Sequence, residues 1–164
     1  MFGKLKSALG SEKKDIKIVA PLDGAVVALS EVADPAFAEE MLGRGIAIRP
    51  IAGRVTSPVN GKVTQMFDTG HAITLTSDEG VEILIHIGLD TVNLKGEYFT
   101  PLVKTGDAVK VGDGLINFDI EAIKVLGYDT ITPVVICNSS DYTQFETHIN
   151  CVVKIGDEII TLGG

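Results

Sequence analysis

The stretch "GHAITLTSDEGVEILIHIG", residues 70–88, decides the fold. Two short runs rich in β-branched residues flank the polar turn Ser77-Asp78-Glu79-Gly80, and their alternation has the period of strands, not helices. A turn centred between Asp78 and Glu79 pairs Ser77 with Gly80, Thr76 with Val81, Ile73 with Leu84 and His71 with His86. Directly opposed side chains share a face with Cβ atoms about 4.5–5.5 Å apart. This register therefore predicts two imidazoles addressing one small group. It also sets Val81, Ile83, Ile85, Ala72 and Thr74 on one face and Ile73, Leu84 and His86 on the other, with His86 in a shallow apolar depression.

Outward from this hairpin the same grammar continues. "IKIVAPLDGAVVAL", "GIAIRP", "GRVTSPVNGKVTQM" and "TPVVICN" are short β-rich runs punctuated by Gly, Pro, Asn and Asp. They predict an all-β chain, an antiparallel sandwich or barrel-sandwich. Short helical turns are expected in "DPAFAEEMLG", where Asp34 caps, Pro35 fits the first turn and Gly43 ends it, and in "DIEAIKVLG" between Asp119 and Gly127. Two echoes suggest a duplicated hairpin plan: "APLDGAV" at Ala20 recurs as "SPVNGKV" at Ser57, and "VKVGDGLI" at Val109 recurs as "VKIGDEII" at Val153.

A chain of 164 residues suits one domain with a core that needs no staples. The expected division is a flexible, weakly amphipathic segment over 1–15 and a folded domain over 16–164. Phe2, Leu5, Ala8 and Leu9 near one side of that segment suit at most weak contact with an anionic membrane surface. Fourteen basic against 22 acidic residues leave a formal charge of -8, which disfavours nucleic acid and favours a basic partner. Cys137 and Cys151 have no metal-ligand spacing and read as reduced thiols. No apolar run approaches the length of a bilayer span, so a cytoplasmic location is expected.

Two opposed histidines carry the chemistry. Close imidazoles resist double protonation, so at least one stays neutral and nucleophilic near pH 7. Such a pair suits a reaction in which one ring accepts a phosphoryl group and the other donates a hydrogen bond to its oxygens. Neither a Walker loop nor a dinucleotide fingerprint is present, so the donor is a phosphoprotein or a small phosphate ester.

The run "GVEILIHIGLDTV", residues 80–92, resembles the active-site signature of glucose-type enzyme IIA proteins of the bacterial sugar phosphotransferase system. The resemblance extends through "APLDG", "DPAFAEEMLGRGIAIRP", "SPVNGKV", "NLKGE", "VKVGD" and "TPVVICN" and covers nearly all of the chain after Asp15. It implies an antiparallel β-sandwich. It also implies that His86 accepts phosphate from the small carrier HPr and passes it to a cysteine on the IIB domain of a sugar permease. By position in the motif, His71 stabilises the phosphorylated state, Thr69 orients His71, and Asp34 and Asp90 ring the pocket toward basic HPr side chains. Apolar docking falls to Phe37, Met41, Phe67 and Leu84. No cofactor is required by this reading, and phosphorylation-dependent regulatory targets are compatible with it.

Two other classes compete. A zinc hydrolase or peptidase-like site could use His71, His86 and a carboxylate such as Asp90, although the His-x-His pair of such β-hairpin sites is missing; a zinc shared with a partner is a milder version. A biotinyl or lipoyl carrier domain could use Lys124 in "DIEAIKV", although Ile123 stands where that motif has methionine. Gly88 either leaves room for a phosphoryl group, or brings backbone donors to it, or marks a bulge. His148 reads as a surface or partly satisfied strand residue.

Overall fold

The computed structural model describes residues 15–164, so the amphipathic reading of the segment before Asp15 lies outside the described residues. The strands are β1 (Ile16–Val19), β2 (Gly24–Ala28), β3 (Arg44–Pro50), β4 (Arg54–Thr56), β5 (Gly61–Met66), β6 (Ala72–Ser77) and β7 (Glu82–His86). They continue as β8 (Phe99–Pro101), β9 (Ala108–Val109), β10 (Gly114–Phe118), β11 (Thr132–Ile136), β12 (Gln144–Thr147), β13 (Cys151–Val153) and β14 (Glu158–Gly163). An antiparallel sheet of eight runs in the order β13-β2-β3-β11-β7-β6-β5-β9, with smaller sheets β1-β14-β12 and β4-β10-β8. The expected all-β sandwich is what forms.

Alternation explains the layers. Ile46, Ile48, Ile73, Leu75, Ile83, Ile85 and Ile87 come from one face of the large sheet and are fully buried, in one cluster with Leu115, Ile116, Ile160 and Leu162 of the small sheets. Each such side chain contributes roughly 1.5–3 kcal/mol. The opposite face is covered only in part. There the turn Leu29–Glu31 and helix α1 (Pro35–Ala38) lay Leu29, Val32 and Phe37 over Ala47, Ile131 and Val135, with Leu84 and Leu89 packed alongside.

The repeat is built into the ladder. Gly24 pairs with Pro50 as Gly61 pairs with Ser77, Ala25 with Arg49 as Lys62 with Thr76, and Val26 with Ile48 as Val63 with Leu75. At the edges Val153 pairs with Gly24 as Val109 pairs with Gly61. Thr132 opposite Ile48 matches Ile83 opposite Leu75, and β11 meets β7 at Val134 and Ile85. The sheet thus has an internal two-fold between β11 and β7. Its turns match to the atom: the Asp113 carboxylate accepts from the Lys110 N–H and that of Asp157 from Lys154, both at 2.9 Å. Asn60 and Asp23 accept from Val111 and Ile155. A third copy of this turn, which the sequence reading passed over, occurs at Val103–Asp107, where Asp107 accepts from Lys104 at 2.9 Å.

Both helices start where expected, capped by Asp34 and Asp119. Helix α1 stops at Ala38, well before Gly43, because Glu40 adopts a left-handed φ of 58° and turns the chain. Helix α2 (Ile120–Val125) carries Lys124, exposed, in its last turn. A carrier domain would need that lysine on a hairpin tip, so the biotinyl or lipoyl reading fails. Cys137 and Cys151 are free and exposed, and the exposed His148 lies 3.9 Å from Glu158. Among the described residues no helix is long and apolar enough to cross a membrane.

Candidate functional site

The hairpin β6–β7 is shifted by one residue from the expected register. Ala72, not His71, lies opposite His86, Ile73 is opposite Ile85, and Thr74 is opposite Leu84. The cause is the turn. Ser77 pairs with Val81 around a three-residue loop, Asp78-Glu79-Gly80, whose last residue takes φ +92°. A two-residue loop would have asked Asp78 and Glu79 for left-handed conformations, whereas Gly80 adopts one at no steric cost. The faces change accordingly: Ile73 joins Ile83 and Ile85 in the core, while Ala72 and Thr74 join Leu84 and His86 on the outer face.

The two imidazoles meet nonetheless. His71 is the last ladder residue before β6, its carbonyl accepting the Ile87 N–H at 2.7 Å. It follows Gly70, whose φ of +69° closes the turn from Phe67. At that bend strict alternation lapses, and the ring centroids of His71 and His86 stand 5.0 Å apart, with planes at 83°. His71 is buried and His86 half-buried.

Each ring has one fixed nitrogen. His86 Nδ1 lies 2.8 Å from the Gly88 carbonyl oxygen, which only accepts, so Nδ1 carries the proton and Nε2 holds the free lone pair. His71 Nδ1 lies 2.5 Å from Thr69 Oγ1. Burial, helped by the neighbouring His86, pushes the His71 pKa down to about 4. Burial also lowers that of His86, against the opposing pull of the Gly88 carbonyl and the carboxylates of Asp34 and Asp90. Both rings are therefore neutral near pH 7.

Gly88 acts through its backbone. Its N–H is taken by the Ile131 carbonyl at 3.1 Å, so it is not a free donor toward a bound group, and its φ is +77°. A Cβ there would come within 2.7 Å of Thr91 Cγ2 and 2.8 Å of the Asp129 carbonyl oxygen. The Leu89 N–H bonds the same Asp129 carbonyl, and the buried Thr91 hydroxyl donates to the Ile87 carbonyl at 2.5 Å. Sequence reading missed these anchors, although the glycine directly after "HI" signalled a special backbone.

Of the other expected residues, Phe37 packs its ring 5.2 Å from His86 and Phe67 its ring 5.6 Å from His71. Half-buried Leu84 shares the His86 face. Asp34 caps α1 through the Ala36 N–H at 3.0 Å while still acting on His86, and the exposed Asp90 adopts φ 60° just past Leu89. Met41 is 71% exposed. Among the described residues no third His, Cys, Asp or Glu completes a metal-binding set with the histidines.

Residues 16–142 match the family model described as phosphoenolpyruvate-dependent sugar phosphotransferase system, EIIA 1. The chain is 50% identical over 144 residues to the PTS system glucose-specific EIIA component of Oceanobacillus iheyensis, covering 88% of this chain and 87% of that protein. It is 51% identical over 141 residues to the PTS system beta-glucoside-specific EIIBCA component of Bacillus subtilis, covering 86% of this chain but 23% of that longer protein. Glucose permease IIA from Mycoplasma capricolum superimposes with a TM-score of 0.84 at 37% identity, over 91% of this chain and 96% of that one. A phosphotransferase component that carries phosphohistidine is the class so defined. The chain belongs to the glucose-type EIIA family of the sugar phosphotransferase system.

Proposed function

We propose that His86 Nε2 is the phosphoryl acceptor, loaded from the phosphohistidine of HPr and unloaded onto a cysteine of the IIB domain of a sugar permease. The observation that carries this reading is the bond from His86 Nδ1 to the Gly88 carbonyl, which leaves the Nε2 lone pair free beside a second imidazole. In loading, the donor N–P bond breaks with its electron pair returning to the donor nitrogen, and a new N–P bond forms at Nε2. The proton stays on Nδ1, and its hydrogen bond to the Gly88 carbonyl disperses the positive charge that develops on the ring. In unloading, a cysteine thiolate forms the S–P bond as the N–P bond breaks, restoring the neutral ring.

His71 serves the phosphorylated state. With the Thr69 hydroxyl donating to Nδ1, the His71 proton sits on Nε2 and is available to a phosphoryl oxygen. Phe37, Phe67 and Leu84 supply an apolar surround that strengthens these polar interactions by excluding water. Asp34, Asp90 and the overall charge of -8 favour a basic partner surface and set its register more than its affinity. Met41 belongs to the outer docking rim. Two imidazoles supply only two ligands, so a zinc ion held here would take the rest from a partner.

Incubation with phosphorylated HPr tests the reading. Wild type acquires one acid-labile, alkali-stable phosphate and His86→Ala acquires none; label retained in full by that variant sinks the assignment.

A further inference from the structure

A cavity of about 290 Å³ on the outer face of the large sheet is lined by Arg49, Pro50, Lys124, Tyr128, Asp129, Thr130 and Ile131. Its volume lies at the small end of the range for ligand sites. Arg49, at the end of β3, and Lys124, in the last turn of α2, have no ion-pair partner among the described residues, in a chain with an excess of acidic groups. Asp129, the carboxylate nearest to them in the lining, turns its Oδ1 onto the Ile131 N–H at 2.9 Å. Thr130 is 7% exposed, and its Oγ1 has no hydrogen-bond partner among the described residues, although its carbonyl accepts from Thr132. A buried hydroxyl left unmatched costs roughly 1–3 kcal/mol unless something in the cavity satisfies it.

The internal two-fold supplies a contrast: in the other half of the sheet Thr76 holds the place of Arg49, and Glu82 that of Ile131, so the cation at this position belongs to one half alone.

We propose that the Arg49–Lys124 cavity binds a small phosphate-bearing anion, held by the two cations and by the Thr130 hydroxyl. Arg and Lys heads suit phosphate oxygens through charge-assisted hydrogen bonds, Arg as a two-pronged fork and Lys as a point charge. Occupancy reaches His86 through one segment. The Ile131 and Asp129 carbonyls hold the Gly88 and Leu89 N–H groups, and the Gly88 carbonyl holds His86 Nδ1. Fixing Thr130 between those two anchors steadies the acceptor ring's tautomer. The site does not depend on the assignment of His86, because none of its residues belongs to the histidine pair.

Amide NMR titration of the full chain with inorganic phosphate, and separately with glycerol 3-phosphate, tests this at constant ionic strength. The expected result is saturable shifts at Arg49, Thr130 and Ile131, with a smaller matching shift at Gly88 and the His86 ring. The tighter of the two anions distinguishes free phosphate from a phosphate ester. Both substituted positions in Arg49→Gln/Lys124→Gln are exposed, so this variant folds, and its affinity falls by about tenfold or more. Thr130→Val gives a smaller loss. Shifts that persist in the double variant, or that chloride reproduces, overturn the proposal. Saturation by an acidic peptide but not by either phosphate also overturns it, in favour of a protein partner.

Discussion

The two halves of the eight-stranded sheet share one ladder and differ in what covers them. In the first half Val135 is fully buried beneath Leu29, Val32 and Phe37. In the second half the position related to it by the internal two-fold is His86, half-buried and facing another ring. Related likewise are Arg44, exposed at the start of β3, and His71, buried just before β6. The inner faces match in apolar character at Val26 and Val63, Ile46 and Ile73, Ile48 and Leu75, and Val134 and Ile85, while the outer faces diverge. The site therefore lies beside the lid and not beneath it, and the lid of the first half contributes Phe37 as a wall of the second.

If both halves share one construction, matched glycines must fail equally. A Cβ on Gly24 would stand 2.2 Å from the Arg49 carbonyl oxygen, and one on Gly61 2.1 Å from that of Thr76, each the related partner of the other. Gly24→Ala and Gly61→Ala are each expected to cost more than about 4 kcal/mol, read as loss of a urea transition at 25 °C. Tolerance at one and collapse at the other would show that the two-fold is only apparent.

The largest difference between the halves lies in phosphoryl chemistry. For His71→Gln, loading of His86 from phosphorylated HPr is expected to persist, while onward transfer to IIB slows about 10²–10³-fold, the usual cost of removing a preorganised donor. Equal loss in both steps would mean that His71 only builds the site and does not assist the transfer.

Titration separates the halves again, since the first has no counterpart to these rings. A histidine whose folded pKa lies below its unfolded value gives the unfolded chain the greater proton uptake between the two. The stability contribution is full above pH 6.5 and is lost as pH falls toward the His71 value of about 4. The loss from His71 is on the order of 3 kcal/mol, with a further loss in the same direction from His86. Urea midpoints of wild type should fall from pH 7 to pH 4 more steeply than those of His71→Gln. Parallel curves would place the buried ring in solvent.

Much of this was legible in the chain. Alternation around "SDEG" gave strands and a hairpin, and the paired "APLDGAV" and "SPVNGKV" runs announced the two-fold. The helix caps were readable because Asp34-Pro35 and Asp119 have local mechanisms. The register differs by one residue from the expected one because the centre of the polar turn is not its symmetry point; the backbone freedom of Gly80 sets it, and Ile73 therefore faces the core. The histidines still met, but for a tertiary reason: the bend after Gly70 redirects His71. The anchors of Gly88 come from Asp129 and Ile131, some forty residues away in the chain and brought near only by the β11–β7 pairing. No local pattern carries such a contact.

The smallest expected effect bears on how finely the second half has been tuned. Among the described residues Thr69 Oγ1 hydrogen-bonds Nδ1 of His71 alone, so its removal should leave both rings in place and free one tautomeric choice. For Thr69→Val the loss of one hydrogen bond, about 1 kcal/mol, should slow onward transfer several-fold and leave loading unchanged, with Thr69→Ser restoring the rate. Nitrogen NMR of His71 supplies the readout that a merely structural threonine would not move. The proton should sit on Nε2 in wild type and divide between the two nitrogens in Thr69→Val. A proton found on Nδ1 in wild type would reverse the direction of the Thr69 bond. His71 would then offer the phosphoryl group a lone pair where a donor is required, and its assisting role would fall even though the acceptor role of His86 stood.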